Sequence, residues 1–313
     1  MSNPEIIPPA NSAQQLPPQH PNTVFRGPHG IRAGWRALIF LAIVGVLLTL
    51  VSIVVVIIAN GKLGALNQLT PTGLALSEGS IFLLTAIPAL IMSLIEHRKF
   101  SQYGLPLRNA FQQDFWTGSL VGFLAISGCL LAISLFRGFH ITGLAIYGTT
   151  IFPAMAKWGL AFIVVGLAEE FSFRGYLQYT LTTGMSFWPS AVLLSALFGF
   201  AHASNPGESK AGLLSVFLFG LLFCLFLRRT GNLWWAVGFH AGWDWGQTFF
   251  YGVPDSGIVA NNNLFNSGFS GPNWLTGGSV GPEASAFAPV TLLVVAIWFT
   301  RRYRENRYLA RES

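Results

Sequence analysis

The sequence predicts an all-α, polytopic membrane protein with about eight transmembrane helices. Of its 313 residues 52% are apolar and only 10% are charged, against the roughly 25% charged residues of a soluble domain. The mean hydropathy is +0.54. Eight apolar runs approach the roughly 20 residues that a helix needs to cross a bilayer. They cover about 35–59, 79–95, 115–136, 154–183, 187–203, 211–228, 231–251 and 286–300.

The runs divide the chain into five parts. Residues 1–30 form a Pro-rich tail that we expect to be disordered and cytoplasmic, because such a composition buries too little apolar surface to offset its ordering entropy. Residues 31–149 hold the N-terminal helices, and 150–251 hold the polar residues that suggest chemistry. An external loop rich in Gly, Asn and Ser covers 252–285, and 286–313 hold the last helix and a basic cytoplasmic tail.

Arginine and lysine residues predict the orientation, because cytoplasmic loops near helix ends are enriched in them. Basic residues precede the first helix, join helices two and three and helices six and seven, and follow the last helix. Both termini are therefore expected to be cytoplasmic, in a multi-pass protein of a cell membrane, with a bacterial inner membrane favoured. The net charge of +6 is accounted for by this topology, so we predict membrane lipids as a partner and no nucleic acid.

Five ionisable residues in the apolar runs predict one functional site. They are Glu169 and Glu170 on predicted helix four, His202 on helix five, and His240 and Asp244 on helix seven. Ionisable groups inside a bilayer are costly, and they usually face a wet cavity, have a partner and carry function. We therefore predict a polar catalytic cavity between helices four, five and seven.

Spacing along helix four separates the two glutamates. With no Pro in the segment, the helix is expected to continue from about residue 154 to 183. Glu170 and Arg174 are four residues apart in the acid-first order that favours an intrahelical ion pair. Glu169 projects about 100° away from Glu170, and without a local partner it is the better candidate for a general base.

Helix seven presents two different faces. His240 and Asp244 are four residues apart and share one face, whereas Gly238, Gly242 and Gly246 form a small-residue stripe on another. Small residues allow a neighbouring helix to approach closely. The glycine face is therefore expected to pack against a helix while the His and Asp face the cavity.

The three motifs in order resemble a known family. Glu-Glu-x-x-x-Arg at 169–174, Phe-x-x-x-His at 198–202 and His-x-x-x-Asp at 240–244 resemble the CAAX protease and bacteriocin-processing family of intramembrane endopeptidases. The resemblance covers about 150–251. It implies hydrolysis of a peptide bond in a membrane-associated protein or peptide, of CAAX type or related.

The resemblance also implies roles for the site residues. Glu169 and His202 would activate the attacking water, and Glu170 and Arg174 would support them. His240 and the residue four positions on would stabilise the oxyanion. Here that residue is Asp244, whose ionised form cannot donate a hydrogen bond, so we expect His240 to donate and Asp244 to orient it.

Two questions stay open from the sequence. The family is commonly called metalloprotease, and Glu169, His202 and His240 could hold either a water molecule or a divalent metal ion such as zinc. Acid and His residues within helices also build the proton relays of transporters. A proton-coupled transporter, and a non-catalytic family member acting as a membrane scaffold, are therefore the alternatives to an endopeptidase.

Overall fold

The computed structural model describes residues 23–27, 30–59, 70–205 and 207–308. Helices form most of this part of the chain. In chain order they are α1 (Ala33–Ala59), α2 (Pro71–Ile95), α3 (Gln113–Leu135), α4 (Ile151–Arg174), α5 (Tyr176–Met185), α6 (Phe187–Ala201), α7 (Lys210–Thr230), α8 (Trp234–Asp244), α9 (Asn273–Thr276) and α10 (Phe287–Arg302). The strands are β1 (Arg26–Gly27), β2 (Gly30–Ile31), β3 (Phe139–Leu144) and β4 (Phe265–Phe269).

The all-α membrane architecture predicted from the sequence is confirmed, since each of the eight apolar runs is largely helical. Within the described residues, six helical segments are long and apolar enough to cross a membrane. The segment that contains α8 and the last helix, α10, are shorter than these six. The chain is therefore a multi-pass membrane protein, with the orientation of its termini still a prediction.

The sequence predicts one continuous helix four, and this prediction was wrong, because the structure divides the segment into two helices. The helix is interrupted at Gly175, whose φ of −79° and ψ of −117° lie outside the helical region. As a result α4 ends at Arg174 and α5 begins at Tyr176. A Cβ at Gly175 would collide with the carbonyl oxygen of Phe171. The break ends α4 at the last residue of the Glu-Glu-x-x-x-Arg motif.

Glycines bring α3 and α8 into backbone contact, as the small-residue stripe predicts. A Cβ added at Gly238 would collide with the carbonyl oxygen of Phe115, and one at Gly242 with that of Ser119. Gly122 on α3 approaches the carbonyl of Phe239 in the same way. This packing fixes α8, and a π-helix over residues 245–250 continues directly from its C-terminal end.

Strands occupy two short stretches outside the long helices. β3 pairs antiparallel with β4, which lies in the segment predicted to be the external loop. The predicted disordered tail lies outside the described residues except for 23–27 and Gly30. There β1 pairs with β2, and the Phe25 ring lies 4.8 Å from that of Trp35. Apolar contact with α1 thus orders the end of the tail, which corrects the expectation for these residues.

Candidate active site

A cavity of about 560 Å³ brings the predicted motifs together. Its walls come from α4, α6 and α8, which correspond to predicted helices four, five and seven, and also from α2 and α7. Side chains of the segment 255–283 complete the lining. Four of the predicted site residues line it: Glu169, His202, His240 and Asp244.

The two adjacent glutamates of α4 face different surroundings, as their helical spacing predicts. The Glu169 side chain is 23% exposed and lines the cavity. Glu170 is fully buried, and its Oε1 lies 3.5 Å from Nη1 of Arg174, which is also fully buried. The intrahelical ion pair is therefore confirmed. Of the two adjacent glutamates, only Glu169 is open to the cavity, so its carboxylate is the one that a molecule in the cavity can contact.

Aromatic rings enclose the guanidinium group of Arg174. Its Cζ lies 4.3 Å from the ring centroid of Phe198 and 5.5 Å from that of Phe223. Gly220 on α7 leaves the space for it, since a Cβ there would lie 2.7 Å from Nη2. A cation against aromatic faces gains roughly 0.5–2 kcal/mol per contact. Phe198, the first residue of the second motif, thus helps to hold the arginine of the first.

Carboxylates surround the His240 ring on both sides. Nδ1 lies 3.1 Å from Oε1 of Glu170, and Nε2 lies 3.6 Å from Oε2 of Glu169 and 3.4 Å from Oδ2 of Asp244. Because an ionised carboxylate only accepts hydrogen bonds, Nδ1 donates to Glu170. The two carboxylates on the Nε2 side favour the positively charged form of the ring. The Phe223 ring stacks on the imidazole at 5.1 Å between centroids.

The hydrogen bond that orients His240 is made with Glu170. Sequence reasoning assigned this role to Asp244, which instead lies on the Nε2 side of the ring. Glu170 therefore joins two motifs, since the same Oε1 atom contacts Arg174 and His240. The sequence alone could not distinguish these alternatives, because the contact spans 70 residues.

His202 lies at the point where α6 ends and a short 3₁₀ turn begins. Its Nδ1 is 2.9 Å from the carbonyl oxygen of Phe198. A carbonyl only accepts, so Nδ1 carries the proton and Nε2 of the neutral ring is left as an acceptor. The Phe198 ring packs edge-on against the imidazole at 4.7 Å, which restricts its orientation in the cavity.

Two further carboxylates reach the cavity from the predicted external loop. Thr248 Oγ1 donates to Asp255 at 2.8 Å, and the backbone N–H of Ser256 donates to Glu283 at 3.2 Å. Burial raises the pKa of Asp255 to about 6. Burial, and then the negative charge of Asp255, raise the pKa of Glu283 to about 8. Sequence reasoning missed both residues because they lie in a polar loop.

Glu78 on α2 is a third residue that sequence reasoning missed. The apolar run predicted from the sequence begins at about residue 79, eight residues after Pro71, the first residue of α2, and it therefore leaves out Glu78. Glu78 is therefore embedded in a membrane-spanning helix, and it lines the same cavity as Glu169. A window that extended to the start of α2 would have found it.

The residues predicted as metal ligands do not converge as one set. Within the described part of the chain, the acidic and His side chains whose ligand atoms all lie within 4.8 Å of one another are Asp244, Asp255 and Glu283. Glu169, His202 and His240 do not form such a group there. The involvement of zinc or another divalent ion stays a prediction.

Comparison with known proteins agrees with the motifs. Residues 150–246 match the family described as type II CAAX prenyl endopeptidase Rce1-like. The match includes all three motifs and ends two residues after Asp244. The resemblance expected from the sequence is thereby confirmed for this part of the chain. No curated protein matches the chain.

Proposed function

We propose that this protein is an intramembrane endopeptidase that hydrolyses a peptide bond of a membrane-associated protein or peptide. The observation that carries the proposal is the meeting of Glu169, His202 and His240 in one cavity between helices of a multi-pass protein. The family match over residues 150–246 supports a CAAX-type protease at the level of the family.

Glu169 is the proposed general base. Its carboxylate is partly open to the cavity, and Nε2 of His202 is the second acceptor available to hold a water molecule. Glu169 takes a proton from that water as the water oxygen bonds to the peptide carbonyl carbon. It returns the proton to the leaving amine when the C–N bond breaks.

His240 is the proposed donor to the oxyanion. The hydrogen bond between its Nδ1 and Glu170 fixes the ring. Its Nε2 atom is on the side of Glu169 and Asp244, and all three residues line the cavity. A charged donor held in a dry site before the reaction stabilises developing negative charge with little reorganisation. Asp244 would keep the ring protonated rather than contact the oxyanion, since an ionised carboxylate repels it.

The proposal is tested with purified protein in lipid nanodiscs and a peptide library whose products are read by mass spectrometry. We expect wild-type protein to cut a subset of peptides, Glu169→Gln to cut none, and His202→Ala to be reduced by a factor of about 100 or more. Each form is assayed with and without a chelator, which decides whether a metal is required.

Glu208→Gln is the matched control for this assay. Glu208 accepts from the backbone N–H of Ser209 at 2.7 Å, a contact that Gln retains, and it does not line the cavity. It should cut like the wild type. If Glu169→Gln cuts as fast as Glu208→Gln, the general-base assignment is wrong. If no form cuts any peptide while proteoliposomes show Glu169-dependent proton flux, the transporter alternative replaces the proposal.

A further inference from the structure

Glu78 is a carboxylate on the membrane-spanning helix α2, where the charge of His240 acts on it without direct contact. Among the residues that the structure describes, it makes no hydrogen bond and no ion pair, and its side chain is half-buried at the cavity wall. The other carboxylates that line the cavity near the catalytic groups are each held by a neighbour. Glu169 and Asp244 contact His240, Asp255 accepts from Thr248, and Glu283 accepts from Ser256.

The contact between α2 and α4 places Glu78 near the reacting groups. Ser172 Oγ donates to Thr85 Oγ1 at 3.4 Å, and a Cβ at Gly79 would lie 3.8 Å from Val164. The two helices thus run in the same direction, and Glu78 lies level with residues 163–165. With a rise of 1.5 Å per residue, Glu169 is about 6–9 Å further along the axis.

The surroundings of Glu78 suit a long basic side chain. Leu74 and Ile81 line the cavity one turn away on α2, and Phe162 and Val165 face them from α4. Lysine and arginine bury their aliphatic stems against apolar surface and keep the charged head with a polar partner. No Lys or Arg contributes to the described lining of the cavity. The charge of His240 acts on Glu78, but that ring already contacts Glu169, Glu170 and Asp244, so a basic substrate side chain would add a countercharge dedicated to Glu78.

We infer that Glu78 is a specificity-determining residue that binds a Lys or Arg side chain of the substrate at, or next to, the scissile bond. The inference rests on the proposed endopeptidase function. An extended Lys or Arg side chain is comparable in length to the axial offset of about 6–9 Å between Glu169 and Glu78. A carboxylate at the base of a side-chain pocket selects basic residues in other proteases.

A basic side chain fits this position better than a divalent cation. Calcium and magnesium take six or more oxygen ligands or retain several waters, and Glu78 does not belong to the group of acids that lie within 4.8 Å of one another. An ammonium or guanidinium group needs one carboxylate. Such a group adds to the attraction that His240 already exerts on Glu78, and it offsets the repulsion between Glu78 and Glu169.

The test compares peptides that differ at one position near the cut, carrying Lys, neutral norleucine or Glu. The readout is the ratio of kcat/KM between the Lys and norleucine peptides. We expect a ratio of about ten in the wild type, the size of one hydrogen bond to a charged group. The ratio should approach one in Glu78→Gln and stay near the wild-type value in Glu208→Gln. Glu78→Lys should instead prefer the Glu peptide over the Lys peptide.

Binding is measured in parallel by fluorescence anisotropy, using Glu169→Gln and the Glu78→Gln/Glu169→Gln double variant. Tighter binding of the Lys peptide to the first protein only is the expected result. If the wild type cuts peptides with no charge preference, or Glu78→Gln keeps the preference, the inference is overturned and the endopeptidase function stands.

The remaining outcomes are also decisive. If no peptide is cut but the Lys peptide binds in a Glu78-dependent way, the endopeptidase function fails and the assignment of Glu78 as the cation-binding residue stands. If there is neither cleavage nor charge-dependent binding, both proposals are overturned.

Discussion

Replacing Arg174 with Met should destabilise the protein strongly, because it removes the positive partner of a fully buried carboxylate. Both side chains of the Glu170–Arg174 pair are fully buried, and the atoms that join them lie 3.5 Å apart. Breaking a buried pair by removing one partner costs about 3–5 kcal/mol. In the variant, the contact with His240 at 3.1 Å still partly compensates the negative charge of Glu170. We therefore expect the free energy of unfolding to fall by about 3 kcal/mol, the lower end of this range.

The assay is thermal unfolding in detergent, followed by size-exclusion fluorescence, for Arg174→Met, Glu170→Gln and the double variant. The double variant removes both charges, and neutral replacement of a buried pair is often tolerated. It should recover most of the lost stability. Peptide cleavage should not recover, because the neutral amide that replaces the Glu170 carboxylate is no longer an anionic acceptor for His240 Nδ1. If Arg174→Met is as stable as the wild type, the buried pair does not stabilise the fold. If cleavage recovers in the double variant, the Glu170 carboxylate is not needed to hold His240.

Three other results are expected. Gly242→Val should prevent accumulation of folded protein, because the valine side chain would collide with the Ser119 carbonyl. Gly128→Ala on α3, which has open space around it, should express normally, and equal yields of the two variants would contradict the close packing of α3 and α8. The pKa of Glu283 is raised from 4.5 to about 8 in the folded state, so the folded protein binds a proton that the unfolded chain has lost between these pH values. Thermal stability in the presence of chelator should therefore fall as pH rises from 4.5 to 8, by at most about 1.4 kcal/mol per pH unit. If Glu283→Gln shows the same slope, the pH dependence belongs to another group. Phe198→Leu should lower kcat more than it raises KM, because the Phe198 ring packs on both His202 and Arg174. An unchanged kcat would show that Phe198 does not position these two groups.

The sequence predicted the parts of the site that depend on helical periodicity and hydropathy. Four-residue spacing identified the Glu170–Arg174 pair, and a 100° offset separated Glu169 from it. The same periodicity predicted that Gly238 and Gly242 on α8 pack against another helix. These features follow from neighbours along one helix, so one sequence is sufficient to find them.

Contacts between distant segments could not be predicted in this way. The approach of Glu170 to His240 depends on how α4 and α8 pack. The entry of Asp255 and Glu283 into the cavity depends on the path of a loop whose composition is polar and typical of an external segment. The break at Gly175 was missed because glycine is tolerated within helices, and only the collision with Phe171 shows why a residue with a Cβ does not fit there.

In the proposed reaction, Glu169 activates a water molecule for attack on a peptide bond. Cleavage in water enriched in ¹⁸O, with mass spectrometry of the new carboxyl terminus, tests it most directly. We expect one ¹⁸O atom in the product of the wild type and of Glu208→Gln, and no product from Glu169→Gln. Products that lack ¹⁸O, or labelled products formed at the wild-type rate by Glu169→Gln, would contradict it.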